Sequence, residues 1–456
     1  MDKISNSTEA SQRHKGHVIA IVAMFFLFAM ISFVTNLAAP IGTIWKNNYD
    51  WSGMLGNMMN FLAYLFMGIP AGNLLVRIGY KRTAQWAMIV GLMGLLLQWL
   101  SGVVGVTTGV FEVGGETVTL NFLIYLLGAF ICGFSVCMLN TVVNPMLNML
   151  GGGGNKGNQL VQAGGSLNSL AGTLTPLFVG MLIGEVSADT TIGQVSPLLF
   201  IAMGVFIVAL LVISAVKIPE PHMRGSNDVK KKLSHSPWNF RHTVLGVIGI
   251  FLYVGIEVGI PGMLIFYLTD YTGSAAVAGG VAAIYWLLML VGRTISSVIS
   301  GNVSSRVQLI TVSAVAILLV ITAILLPQEI GVNMPSYSVN NGFMMVGVPA
   351  KALLFVLCGL CTSVMWGGIF NLAVEGLGKY TAQASGIFMM MVVGGGVMPL
   401  IQNLIADNAG YMASYWLVVA MLAYLLFYGV SGCRNVNKDI PVEEEERPNE
   451  AEQDYL

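Results

Sequence analysis

What most constrains this chain is the recurrence of apolar stretches long enough to cross a bilayer. About 20 predominantly apolar residues span the hydrocarbon core as a helix. The sequence supplies such lengths near 18–45, 53–76, 83–104, 119–148, 158–184 and 195–217. It does so again near 243–269, 275–300, 307–327, 351–376, 382–405 and 411–433. These are spans 1 to 12. In lipid every backbone N–H and C=O must be bonded within the protein, so spans of this length are helices. Only 9% of the residues are charged, against roughly a quarter in a soluble domain. The chain reads as an all-α integral membrane protein.

The charges fix an orientation. With the N-terminus inside and twelve spans, the loop and tail lysines and arginines fall on the cytoplasmic side, apart from Lys46 and Lys351. That is the positive-inside bias, and removing any one span would scramble it. Both termini are therefore expected in the cytoplasm, with the protein in the inner (plasma) membrane. The polar start, residues 1–17, has no small-residue cleavage site and reads as a retained tail. Residues 434–456 form a second, short tail whose stretch VEEEERPNEAEQDYL (442–456) is acidic, poor in apolar residues and expected to lack structure.

One long polar connection, 218–242, divides the spans into bundles at 18–217 and 243–433. The two bundles echo each other. NPMLNMLG (144–151) in span 4 matches NLAVEGLG (371–378) in span 10. Gln162-Ala163-Gly164-Gly165, followed by Pro176, matches Gln383-Ala384-Ser385-Gly386, followed by Pro399. Parallel six-helix repeats imply a transporter whose site lies between the halves, near the midplane.

The turn GNLLVRIGYKRT (72–83) resembles the signature of the major facilitator superfamily, with Gly72, Arg77, Gly79, Lys81 and Arg82 in place and Val76 where an acid is usual. LNTVVNPMLNMLG (139–151), SLNSLAG (166–172), FLYVGIEVGI (251–260), YWLLMLVGR (285–293), GGIFNLAVEGLG (367–378) and SGIFMMMVVGGGVMPLIQNLIAD (385–407) then occur in one order. Together they resemble the fucose permease branch, which includes glucose/galactose transporters. The resemblance implies the major facilitator fold, twelve transmembrane helices in two pseudo-symmetric six-helix bundles, and sugar symport. It also implies gating roles for Arg77 and Arg82. The proton-coupled fucose permeases carry acids that align with Asn36 and Asn140 here, and asparagine cannot titrate. Membership alone therefore leaves the coupling ion, H+ or Na+, open.

Polar side chains at membrane depth are costly without a partner and mark function. Asn36, Asn140, Asn144, Gln162, Asn168, Tyr253, Glu257 and Asn371 lie on spans expected to line the cavity. Asn144, beside Pro145, either grips substrate or repairs the backbone at a kink. Asn168 and Ser169 also suit helix–helix contact. Trp286 and Trp366 offer faces for the C–H side of a pyranose, or else pack and anchor. Arg293, near the inner end of span 8, either pairs with a carboxylate in the gate or reaches the headgroups. Glu257 lies near the middle of span 7. With no basic residue expected at its depth it reads as unpaired, protonated or cation-bound when occluded and ionised when open to water. Those are the properties of a coupling group.

Other signals are bland. Cys358 and Cys361 lack a second ligand pair, so no metal is expected. GGGG (151–154) lacks the Lys-Ser/Thr of a phosphate loop, and Asn6-Ser7-Thr8 lies on the wrong side for glycosylation. All five histidines lie in the first tail or the central loop region, and no catalytic cluster sits at the midplane, so neither an enzyme nor a cofactor is expected. No basic surface remains for nucleic acid. The expectation is a monomeric, cation-driven importer of a neutral monosaccharide or small amino-sugar. A uniporter, an exporter of amphipathic compounds and a sugar sensor without transport are the alternatives.

Overall fold

The computed structural model describes residues 2–37, 55–113, 115–183, 192–218, 220, 235–338, 342–437 and 439–442, with 41, 44, 45, 48, 49 and 52 between the first two stretches. Residues 221–234 of the central loop, the acidic tail from 443 on, and the side chains of residues 2–17 lie outside the described set.

Ten helices among the described residues are long and apolar enough to cross a membrane. One of them, Leu55–Leu100, carries both span 2 and span 3, with a break at Gly79, whose φ of 84° only glycine adopts without strain. Span 5 is the helix Gly154–Ile183, which completes the twelve. The other spans follow the hydrophobic pattern: Asp2–Asn36, Leu120–Leu150, Ser196–Ala215, Arg241–Thr272, Ala275–Ile299, Ser305–Leu325 and Tyr411–Phe427. Spans 10 and 11 are each discontinuous. Span 10 runs Ala350–Thr362 and Met365–Val374, with a turn at Ser363-Val364. Span 11 runs Thr381–Met390 and Gly394–Ala409 around a 3-10 turn at Met391–Val393.

The all-α expectation needs one addition. Two antiparallel hairpins lie outside the spans, β1 (Gly109–Val113) with β2 (Glu116–Thr119), and β3 (Gly331–Ser338) with β4 (Gly342–Pro349). Each joins the third and fourth spans of its half, so the hairpins repeat the internal duplication and mark one face of the molecule. The opposite face carries the short turns at 151–153, 300–304 and 375–380.

On that short-turn face the turn between spans 2 and 3 is held by a carboxylate from another segment. Glu220 accepts the backbone N–H of Tyr80 (2.7 Å) and of Lys81 (2.8 Å). A Cβ at Gly79 would stand 2.5 Å from its Oε2. Lys81 Nζ donates to the carbonyls of Ser214 (2.7 Å) and Val216 (2.9 Å) at the end of span 6. The acid missing at Val76 is thus replaced by one that enters from the central loop. Arg77 and Arg82, the expected gating residues, are exposed; Lys81 makes the turn's side-chain contacts with span 6.

The halves meet closely toward the short-turn face. Gly68 and Gly72 of span 2 face Gly386 of span 11, and a Cβ on Gly68 would stand 2.6 Å from the Gly386 carbonyl oxygen. This small-residue approach lets two membrane helices touch backbone to backbone.

Candidate functional site

Hydrogen bonds between the halves form two tiers. The tier at the short-turn face is neutral. Asn148, in the last turn of span 4, donates to Asn371 Oδ1 at 2.8 Å, and Asn371 donates to Ser305 Oγ at 2.9 Å. Asn158 at the start of span 5 donates to Ser300 Oγ at 3.2 Å. Ser385 Oγ donates to the Thr141 carbonyl at 3.1 Å. All of these side chains are buried, and amide and hydroxyl pairs satisfy one another there without the desolvation penalty of charges.

The second tier lies near mid-depth and holds the ionic groups. Glu257 does not stand alone. Arg293 Nη2 lies 3.1 Å from Glu257 Oε1, with the two side chains only 11% and 17% exposed. The same guanidinium donates through Nη1 to Ser169 Oγ (2.7 Å) and the Gly165 carbonyl (3.3 Å) on span 5, and through Nε to the Ser363 carbonyl (3.4 Å) at the break in span 10. The expectation of an unpaired Glu257 is therefore corrected, and of the two readings of Arg293 the pairing with a carboxylate is the one the structure shows, at mid-depth. The reason is geometric. Helical side chains lean toward the helix N-terminus, which for span 8 is the hairpin face. Arg293 thus reaches back to the depth of Glu257. Its planar fork serves four acceptors on three other spans.

Around this pair the structure gathers part of the expected set. Trp366 Nε1 donates to Asn144 Oδ1 across the halves at 3.0 Å, and the Trp366 and Tyr253 rings lie 6.1 Å apart. Asn144 also donates to the Asn140 carbonyl at 2.9 Å, whereas the carbonyl that Pro145 frees, that of Thr141, takes the Ser385 hydroxyl. Asn140 Nδ2 donates to Tyr64 Oη at 2.9 Å. The Tyr253 side chain is fully buried, and its hydroxyl lies beside the Glu257 carboxylate and the Arg293 guanidinium. Trp286 is 41% exposed. It stands seven residues from Arg293, two turns toward the hairpin face on the same stripe of span 8.

Four expected residues are committed elsewhere. Gln162 is buried beneath the break in span 10 and donates to the Val364 carbonyl at 2.9 Å. Asn168 donates to the Phe28 carbonyl of span 1 at 3.1 Å, the helix–helix alternative. Asn371 belongs to the short-turn tier. Asn36 turns back on its own helix, to the Ser32 carbonyl at 2.8 Å. The sequence reading overlooked Tyr64, Tyr285 and Asn148. Tyr285, fully buried, bonds Thr362 Oγ1 at 2.8 Å next to the span 10 break. Its signal was available, since it lies eight residues from Arg293 within YWLLMLVGR.

Among the described residues no three His, Cys, Asp or Glu side chains converge as metal ligands. What the arrangement offers is amide, hydroxyl and indole groups from both halves around an ion pair of zero net charge.

Comparisons with known proteins agree with this architecture. A glucose/galactose transporter from Brucella abortus is 29% identical over 437 residues, 93% of this chain and 96% of that protein. The L-fucose-proton symporter of Escherichia coli is 20% identical over 89% of this chain and 90% of that protein. A crystal structure of a variant of the E. coli fucose:proton symporter superposes with a TM-score of 0.73 at 18% identity, covering 91% of this chain and 98% of that one. These relatives lie in the branch that the ordered motifs resemble. Residues 20–398 match the family described as Major Facilitator Superfamily. The chain belongs to that superfamily of transporters.

Proposed function

We propose that this protein is a secondary active importer of a neutral hexose or small amino-sugar, driven by symport of H+ or Na+. The observation that carries this reading is the mid-depth tier itself. Its polar groups are neutral except for one ion pair that cancels, so a neutral polyhydroxyl ligand suits it and an anionic one does not. The glucose/galactose and fucose transporters among the relatives support the same substrate class.

The sugar site is assigned to Asn140, Tyr64, Asn144, Tyr253 and Trp366, with Glu257 as a further acceptor and Trp286 at the entrance. Asn140 spends its N–H groups on Tyr64 and on the Val136 carbonyl (3.2 Å), which leaves Oδ1 to accept from a sugar hydroxyl. Tyr64, accepting from Asn140, keeps its own O–H to donate. Trp366 supplies an apolar face.

The charge bias makes the short-turn face cytoplasmic. Every hydrogen bond between the halves among the described residues lies from mid-depth to that face. The protein is then outward-open, in an inner membrane with both termini inside. For the halves to rock, the tie from Arg293 to span 5 must release, so the driving cation acts through the Glu257–Arg293 pair, whether by neutralising Glu257 or by shifting the state in which the pair closes.

Substituting Asn140→Ala removes a sugar acceptor and leaves Tyr64 without its donor. Sugar affinity, read by isothermal titration of purified protein, should weaken by about 1–3 kcal/mol. Unchanged affinity would move the sugar away from span 4.

A further inference from the structure

Within the N-terminal half, apart from the sugar site, lies a small and largely enclosed cavity of about 20 Å³ between spans 1, 2, 3 and 4. Thr35, Asn60, Gln98 and Tyr125 line it. Gln98 is only 8% exposed and Tyr125 1%. Among the described residues the side chains of Asn60, Gln98 and Tyr125 make no hydrogen bond. Buried polar groups in membrane proteins are almost always satisfied. Three convergent groups without partners among the described residues, around a space the size of one water or one small ion, point to a ligand.

The backbone at this cavity favours a cation. The helix Asp2–Asn36 ends inside the membrane, where span 1 was expected to continue to 45. Leu37 N–H bonds the Val34 carbonyl at 3.2 Å, one residue short of helical spacing, and helical residues resume at Ile41. Pro40 has no N–H, so the Asn36 carbonyl has lost its helical partner. The last carbonyls of a helix are unsatisfied and carry the negative end of its dipole. Val34, Thr35 and Leu37 of this broken end all line the cavity. Thr35 Oγ1 donates its proton to the Ile31 carbonyl at 2.8 Å, which turns its lone pairs outward. Among the described residues no carboxylate lines the cavity, and those that do line it offer neutral oxygens: hydroxyl, amide and carbonyl. Such a set is too weak for a divalent ion, which takes carboxylates, and matches the discontinuous-helix sites that hold Na+.

We infer that Thr35, Asn60, Gln98 and Tyr125, with the carbonyls of the broken span 1, bind one Na+ ion. The role of that ion as the driving cation rests on the transport reading; its binding does not. The cavity lies one helical turn from the sugar site on the hairpin side. Asn60 precedes Tyr64 by four residues, and Val136, also lining the cavity, precedes Asn140 by four. An ion entering from the hairpin face would fix the end of span 1 and the Tyr64–Asn140 pair together.

The test measures binding of radiolabelled Na+ to purified protein in detergent, without sugar, competed by Li+, K+ and choline. Saturable binding that Li+ competes and K+ and choline do not is expected. Gln98→Leu keeps the volume and removes both amide atoms; it should weaken Na+ binding by about tenfold or more, as loss of a buried ligand does. Asn60→Ala is the second variant, in case the first fails to fold. Sugar exchange in Na+-free proteoliposomes should persist in both variants, which separates failure of the ion site from failure of the transport reading. No saturable Na+ binding by the wild type, meaning that the cavity holds water only, would overturn the inference. So would wild-type binding in both folded variants.

Discussion

Replacing Arg293 by alanine is expected to abolish transport and to destabilise the folded protein by about 3–5 kcal/mol, because it leaves a carboxylate buried without its partner. The loss extends beyond charge. Arg293 joins span 7 through Glu257, span 5 through Ser169 and Gly165, and span 10 through Ser363. Arg293→Lys should recover only part of the stability, since an ammonium cannot reproduce a planar fork facing several acceptors. Thermal unfolding in detergent and sugar uptake in proteoliposomes provide the readouts. Adding Glu257→Gln to Arg293→Ala removes the stranded charge, so the double variant should be more stable than Arg293→Ala alone, a coupling that a double-mutant cycle isolates. Arg293→Ala with wild-type stability and uptake would show that the ion pair is dispensable.

Glu257→Gln alone should separate exchange from accumulation. Glutamine still offers Arg293 an oxygen, so the site keeps its shape and its sugar acceptor. The charge on which the latch closes is gone, and the halves can part without the driving cation. Equilibrium exchange of sugar is then expected to stay within about threefold of wild type, while uphill uptake falls by about tenfold or more, each factor of ten corresponding to about 1.4 kcal/mol. Uptake driven separately by a pH gradient and by a Na+ gradient identifies the ion that has been uncoupled. Accumulation equal to wild type under both gradients would remove Glu257 from coupling.

Much of the architecture is legible from hydrophobic length and the positive-inside bias, because the bilayer imposes one length on every span. The hairpins were legible too, although they were passed over. Gly114-Gly115 sits between alternating residues in GVFEVGGETVT, and Asn341-Gly342 is a strong turn signal. Pro335 within β3 is tolerated because a two-stranded ribbon consists of edges.

The site was harder to read because sequence position gives Cα depth, not side-chain reach. By sequence position Arg293 lies nearer the inner end than Glu257, yet its stem leans back toward mid-depth. Amides were the other difficulty. Asn140, Asn144, Asn168 and Asn371 are alike in sequence, and only packing separates the two that bond Tyr64 and Trp366 from the one bracing span 1 and the one closing the short-turn face. The break at Ser363-Val364 depends on which side chains donate to the freed carbonyls, and these, Arg293 and Gln162, come from distant segments.

The central claim is that two six-helix halves pass a neutral sugar across the bilayer through the Asn140–Trp366–Glu257 region. Counterflow tests it most directly. Proteoliposomes loaded with unlabelled glucose, galactose, fucose or N-acetylglucosamine are diluted into a trace of the same radiolabelled sugar, with no ion gradient imposed. For at least one of these sugars the account predicts a transient overshoot of label inside the vesicles, absent when protein is omitted. A protein that reconstitutes intact and shows no overshoot with any of them would contradict the account.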